Sequence, residues 1–137
     1  LEMRGADGGP WRRICALPAF WVGLLYDDAA LDAAEALTRD WTFAEVAAMR
    51  DAVPAQALAT PFRNRTLREV ARDVLDISRC GLANRGRKNR EGYDETGFLD
   101  PLEEVVARGS TSAGEMLRAY HTRWGGSIDP VFLEFAY

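Results

Sequence analysis

A chain of 137 residues has the length of one ordinary domain, enough to bury a core and too short for two independent ones. Apolar residues at 47% and charged residues at 28% exclude a disordered tail. A formal charge of −4 argues against general affinity for nucleic acid or anionic membrane, both of which demand a dense positive field.

The first four residues, Leu1 to Arg4, carry no helix signal and stop at the Gly-rich stretch Gly5 to Gly9, so they read as the end of a strand. One strand cannot satisfy its own backbone groups, and the sheet it joins is expected upstream. With no methionine at position 1 and no secretory pattern, the chain reads as a piece that begins inside a longer polypeptide. Pro10 to Tyr26 reads as a mostly buried helix, with proline in the first turn and a bend at Pro18. Its apolar run, Ala16 to Tyr26, falls well short of the roughly 20 residues that cross a bilayer.

A second helix is expected from Asp28 as N-cap, with Leu31, Ala34 and Leu37 at helical spacing. A third follows Thr42, whose capping-box partner is Glu45. Both read as short, alanine-rich packing helices. The clearest helix runs from Thr66 to about Asn84, where Thr66 and Glu69 form another capping box. Leu67, Val70, Ala71, Val74, Leu75, Ser78 and Leu82 line one stripe of it, with the arginines facing away. Arg85 to Gly97 lacks apolar periodicity and reads as an exposed, mobile loop. Then come a helix from Leu99 or Asp100 to Arg108, closed by Gly109, and one begun by Ser112 with Glu115. A last aromatic helix from Asp129-Pro130 extends to Tyr137.

Few of these residues suggest chemistry. Glu2 and Arg4, two apart on a strand, point to one face of the sheet. A carboxylate is a hard ligand for Mg²⁺ and a guanidinium is a planar fork for phosphate, so the pair suits a metal-bound nucleotide phosphate; an ordinary surface ion pair would have the same spacing. Gly5 to Gly9 reads as a tight turn rather than a phosphate loop, because Pro10 removes a donor and no Walker A spacing follows. Cys15 and Cys80 with a single histidine, His121, supply no zinc set, and reduced thiols in a cytosol are expected. Cys80 falls on the side of its helix away from the apolar stripe, His121 reads as structural or surface, and Trp11, Trp21, Trp41 and Trp124 read as packing residues. Phe62 to Arg90 holds nine basic residues against three acids, Glu69, Asp73 and Asp76, which are expected to pair with arginines three or four residues away.

The run Leu1 to Arg13 resembles a specific segment of the plant and proteobacterial glutamate–cysteine ligases. The similarity continues through Cys15 to Asp28, Pro61-Phe62-Arg63 and Trp124 to Phe132. The resemblance implies an ATP-dependent carboxylate–amine ligase that joins L-glutamate to L-cysteine through a γ-glutamyl phosphate, the first step of glutathione synthesis. It implies ATP and Mg²⁺ as cofactors, Glu2 as a metal ligand, and Arg4 as the catalytic and nucleotide-phosphate contact. Cys15 matches one half of a redox-sensitive disulfide whose other cysteine lies upstream. Relatives that dimerise imply a homodimer, although no apolar stripe in the sequence marks an interface.

The expected fold is an α+β parent enzyme with a glutamine-synthetase-like antiparallel sheet, of which this segment is mostly α-helical with one N-terminal strand. Residues 1–137 are read as the C-terminal part of a single ligase catalytic domain, 1–9 being active-site strand and turn and 10–137 a helical section. Its partner is the upstream catalytic region, the isolated chain is expected to be inactive, and the location is cytoplasmic, with no membrane and no nucleic acid. The alternative is a free-standing helical module that binds protein or RNA without catalysis.

Overall fold

The computed structural model describes residues 6 and 8–136, so the expected strand at Leu1 to Arg4, with Glu2 and Arg4, lies outside the described residues. Seven α-helices are described: α1 (Trp11–Leu25), α2 (Asp28–Thr38), α3 (Phe43–Gln56), α4 (Leu67–Arg85), α5 (Asp100–Arg108), α6 (Ser112–His121) and α7 (Val131–Glu134). Between α3 and α4 lies an antiparallel pair, β1 (Pro61–Phe62) and β2 (Arg65–Thr66), with Pro61 opposite Thr66 and Phe62 opposite Arg65. This hairpin corrects the expectation that only the N-terminus is extended. Its two-residue turn sets Arg63 at φ 56, where hairpins ordinarily place glycine, so the sequence carries no turn signature there. Tertiary contacts supply what the turn residue does not. Phe62 is buried edge-on to Trp41 at 4.7 Å, and the Arg63 guanidinium binds both carboxylate oxygens of Glu45, at 2.8 and 2.9 Å.

The core forms where α1 crosses α4. Ala19, Leu82 and Leu99 are its buried centre, packed against Phe20, Val22 and Leu102. Full burial of Leu82 and Leu99 contributes about 1.5–3 kcal/mol each. The two helices approach closely because glycines face each other: a Cβ on Gly23 would lie 2.2 Å from the Ser78 carbonyl oxygen, and one on Gly81 1.9 Å from that of Gly23. Ser78, fully buried, donates its hydroxyl proton to the Phe20 carbonyl at 2.9 Å. Helix α1 continues through Pro18, and α2 leaves it at 90°. No single described helix is long and apolar enough to cross a membrane.

Several helix starts differ by one residue from expectation. Asp27, not Asp28, caps α2 by accepting the Ala30 N–H at 2.9 Å. Thr111, not Ser112, caps α6 through the Gly114 N–H, because the Ser112 hydroxyl accepts a hydrogen bond from Arg13. Glu115 pairs instead with Arg108. Pro130 takes the cap position of α7, since Asp129 is held by Ser127, and the helix ends at Glu134. The capping boxes at Thr42–Glu45 and Thr66–Glu69 are as expected. Helix α3, expected to pack, buries no residue and leaves Phe43 exposed.

The arginines of α4 do not simply face solvent. Arg68 donates to the carbonyls of Val106 and Ala107, capping the C-terminus of α5, and Arg79 reaches Asp100 at 2.9 Å and Glu103 at 2.5 Å. These ion pairs link separate elements, as does Asp73 with Arg65 of β2 at 2.6 Å, while Glu69 feels the charges of Arg65 and Arg72, four and three residues away, as expected. Arg85 to Gly97 is likewise not an irregular loop. An isolated antiparallel bridge joins Lys88 to Asp94, and the Asn89 side chain accepts the N–H groups of Glu91 and Tyr93 at 3.0 Å each. Arg85 ties its base to Glu95, where a 3₁₀ turn, Glu95–Leu99, begins.

Candidate functional site

The described residues that adjoin the expected Glu2–Arg4 strand are those at the start of α1. Pro10 precedes the helix with ψ 154 and no side-chain cap, and its carbonyl accepts from the N–H groups of Arg13 and Ile14 at 2.8 and 3.1 Å. Gly9 is buried, and a Cβ there would sit 3.6 Å from Cβ of Arg13. The first turn is held from two sides: Arg12 donates to Glu104 of α5 at 3.2 Å, and Arg13 to Ser112 of α6. Each residue that leads into α1 thereby inherits its position from helices ninety or more residues later.

Two depressions flank this turn. One is lined by Trp11, Arg12, Cys15, Gly97, Phe98 and Pro101, the other by Pro10, Arg13, Ser112, Glu115, Met116 and Phe135. The C-terminal segment is held beside the second, because the Trp124 indole N–H donates to Glu134 at 2.9 Å and the rings of Trp124 and Phe135 meet edge-to-face at 6.0 Å. Trp11, expected to pack in a core, is 76% exposed at the mouth of the first depression; Trp124 is buried as expected. Exposed Trp11, Ile14 and Phe98 supply apolar surface that the sequence pattern did not reveal, because they come from two separate elements.

Cys15 is half-buried in α1 and Cys80 exposed on α4, and neither forms a disulfide. Among the described residues no group of three His, Cys, Asp or Glu side chains is placed to hold a metal, so the described residues alone do not fit Mg²⁺. The strongest carboxylate perturbation lies elsewhere: the Arg63 guanidinium, with the Thr42 N–H and hydroxyl, lowers Glu45 from 4.5 to about 2. That pair fastens the β1–β2 turn to α3 and is structural. Sequence reasoning missed the anchoring role of Arg12 and Arg13; two adjacent arginines at the start of an otherwise apolar helix that contains no acid were the available signal.

Residues 1–134 match the family model described as "Glutamate-cysteine ligase family 2(GCS2)". Over all 137 residues the chain is 56% identical to a chloroplastic glutamate–cysteine ligase of Arabidopsis thaliana and 53% identical to that of Nicotiana tabacum, covering 25% of each. It is 50% identical to chloroplastic glutamate–cysteine ligase A of Oryza sativa subsp. indica, covering 27% of it. The chain thus spans about a quarter of the length of these relatives. The cytoplasmic expectation is overturned by these relatives, each of which is named as chloroplastic. That expectation rested on two unpaired cysteines, which report a reducing environment and carry no address.

Proposed function

Because the chain belongs to glutamate-cysteine ligase family 2, we propose that it is the C-terminal part of the catalytic domain of an ATP-dependent ligase that joins the γ-carboxylate of L-glutamate to the amino group of L-cysteine. The observation that carries this reading is the family match, which runs from residue 1 to residue 134 and so includes the Glu2–Arg4 segment and the whole helical scaffold behind it. In this reading ATP converts the γ-carboxylate to an acyl phosphate, the cysteine amine displaces phosphate, and Mg²⁺ accompanies the nucleotide. Arg4 contributes the planar fork that contacts the transferred phosphoryl group, and Glu2 an oxygen ligand for the metal. The helices act by positioning. Arg12 and Arg13 tie the first turn of α1 to α5 and α6, which holds the described residues that lead into the helix, Gly9 and Pro10, in place. Cys15 is assigned to a disulfide with an upstream cysteine, and the partners of the segment are the upstream catalytic region and a second copy in a homodimer.

The test is glutamate- and cysteine-dependent phosphate release from ATP by the full-length protein, with Arg4→Lys beside the parent. Lysine keeps the charge and loses the fork, so turnover is expected to fall about 100-fold or more with no change in thermal midpoint. Unchanged turnover would remove Arg4 from the reaction, and an inactive parent protein would refute the ligase assignment itself.

A further inference from the structure

The hairpin between α4 and α5 carries side chains for which the scaffold has no use. Nine arginines of the described chain sit in ion pairs, and Arg13 and Arg68 are bound to Ser112 and to the end of α5. Arg87 and Arg90 have no carboxylate partner among the described residues, and Lys88 has only the nearby Asp94, whose charge is already satisfied by the Thr96 N–H and hydroxyl. Arg118, and Arg72 beside Glu69, also form no ion pair among the described residues, but on the hairpin unmatched cations stand close together in sequence.

Arg87 and Lys88 line a groove of about 440 Å³ together with Tyr93, Phe98 and two acids that have partners of their own, Asp94 bonded to Thr96 and Glu95 paired with Arg85. That volume lies within the range of small-molecule sites. The Tyr93 ring is 74% exposed, an arrangement that wastes a large apolar face unless something covers it. The backbone is organised in advance. The Asn89 carbonyl side chain holds two N–H groups, Gly92 supplies φ 87 at the tip, and Arg85–Glu95 closes the base. A rigid turn that presents cations beside an unstacked ring loses little entropy when a ligand binds.

We propose that this groove binds a nucleoside phosphate, with the phosphates on Arg87 and Lys88 and the base stacked on Tyr93. Guanidinium and ammonium groups match phosphate oxygens, and a bare aromatic face matches any base. A long polyanion is the poorer fit, because it needs a dense positive field and the chain carries a net charge of −4. The groove shares Gly97 and Phe98 with the depression beside Trp11 and Arg12, but the contacts assigned here, on Arg87, Lys88 and Tyr93, belong to the hairpin and go beyond the ligase reading.

The experiment is equilibrium dialysis of radiolabelled ATP against the full-length protein, compared with its Arg87→Ala/Lys88→Ala variant. The expected result is one fewer nucleotide equivalent in the variant, with thermal midpoint unchanged. The difference is the readout, so it holds whether or not the ligase site also binds ATP; loss of ligase activity in the parent protein bears on that other reading alone. Tyr93→Ala is expected to weaken the extra equivalent about tenfold, Tyr93→Phe to retain it, and inorganic triphosphate to compete about tenfold less well than ATP. Equal stoichiometry in the two proteins overturns the proposal. Triphosphate competing as well as ATP overturns the nucleoside assignment, and a short oligoribonucleotide displacing ATP at lower concentration overturns it in favour of RNA.

Discussion

Replacing Gly81 with alanine tests the account of the core most directly. In an open helix interior this change stabilises by about 1 kcal/mol, because alanine loses less backbone entropy than glycine. At Gly81 the new Cβ would lie 1.9 Å from the Gly23 carbonyl oxygen and 2.9 Å from Cβ of Ala30, so the obstruction is backbone and short side chain, with no rotamer to relieve it. An ordinary carbon–oxygen contact is about 3.3 Å, so α1 must withdraw by more than 1 Å. Withdrawal loosens Ala19 against Leu82 and Leu99 and lengthens the Ser78–Phe20 hydrogen bond. Overpacking of this kind costs about 1–3 kcal/mol and the weakened buried hydrogen bond about 1, so after the helix gain the net loss is about 1–3 kcal/mol. Gly114→Ala is the control, since its Cβ would meet only Thr111 and Ser110 oxygens at 3.5 and 3.6 Å, ordinary contacts, and it should stabilise by about 0.5–1 kcal/mol. Urea denaturation followed by helical circular dichroism measures both. A Gly81→Ala protein as stable as its parent would refute the close crossing of α1 and α4.

Other expectations follow from single contacts. Glu45, lowered to about 2 chiefly by Arg63, binds fewer protons folded than unfolded between its ordinary 4.5 and 2. Its contribution is therefore present above pH 4.5 and lost as pH falls through 2, and Glu45→Gln should flatten the acid limb of a stability–pH profile in that window. Thr111→Ala should cost about 1 kcal/mol by removing the α6 cap, more than Ser112→Ala costs the helix; thermal unfolding of the two variants ranks them. Arg68→Ala leaves the Val106 and Ala107 carbonyls at the C-terminus of α5 without their charged donor. The expected loss is about 1–2 kcal/mol, with faster amide exchange in α5 as the site-specific readout.

Much of the helical scaffold was legible because its signals are local. Thr42–Glu45 and Thr66–Glu69 announce helix starts within four residues, Gly109 announces an end, and the Val70–Leu75–Ser78–Leu82 stripe of α4 announces a buried face. The expected site was legible only through resemblance, as Glu-x-Arg, and its two residues lie outside the described structure.

Where neighbours in space are distant in sequence, local pattern was insufficient. Asp27 and Asp28, or Thr111 and Ser112, are chemically equivalent as caps; the choice was made in the second pair by Arg13, ninety-nine residues away. The β1–β2 hairpin has no glycine at its strained turn, and forms because Trp41 covers Phe62 and Glu45 holds Arg63. Trp11 reads as core by residue type and stands exposed because it opens α1, two turns before Ala19 and Gly23 bring the helix against α4. Helix, cap and turn propensities are properties of short stretches, and the sequence alone determined those. Which faces meet, which of two caps is used and which cations remain unmatched depend on contacts across the chain, and only the tertiary structure decided them.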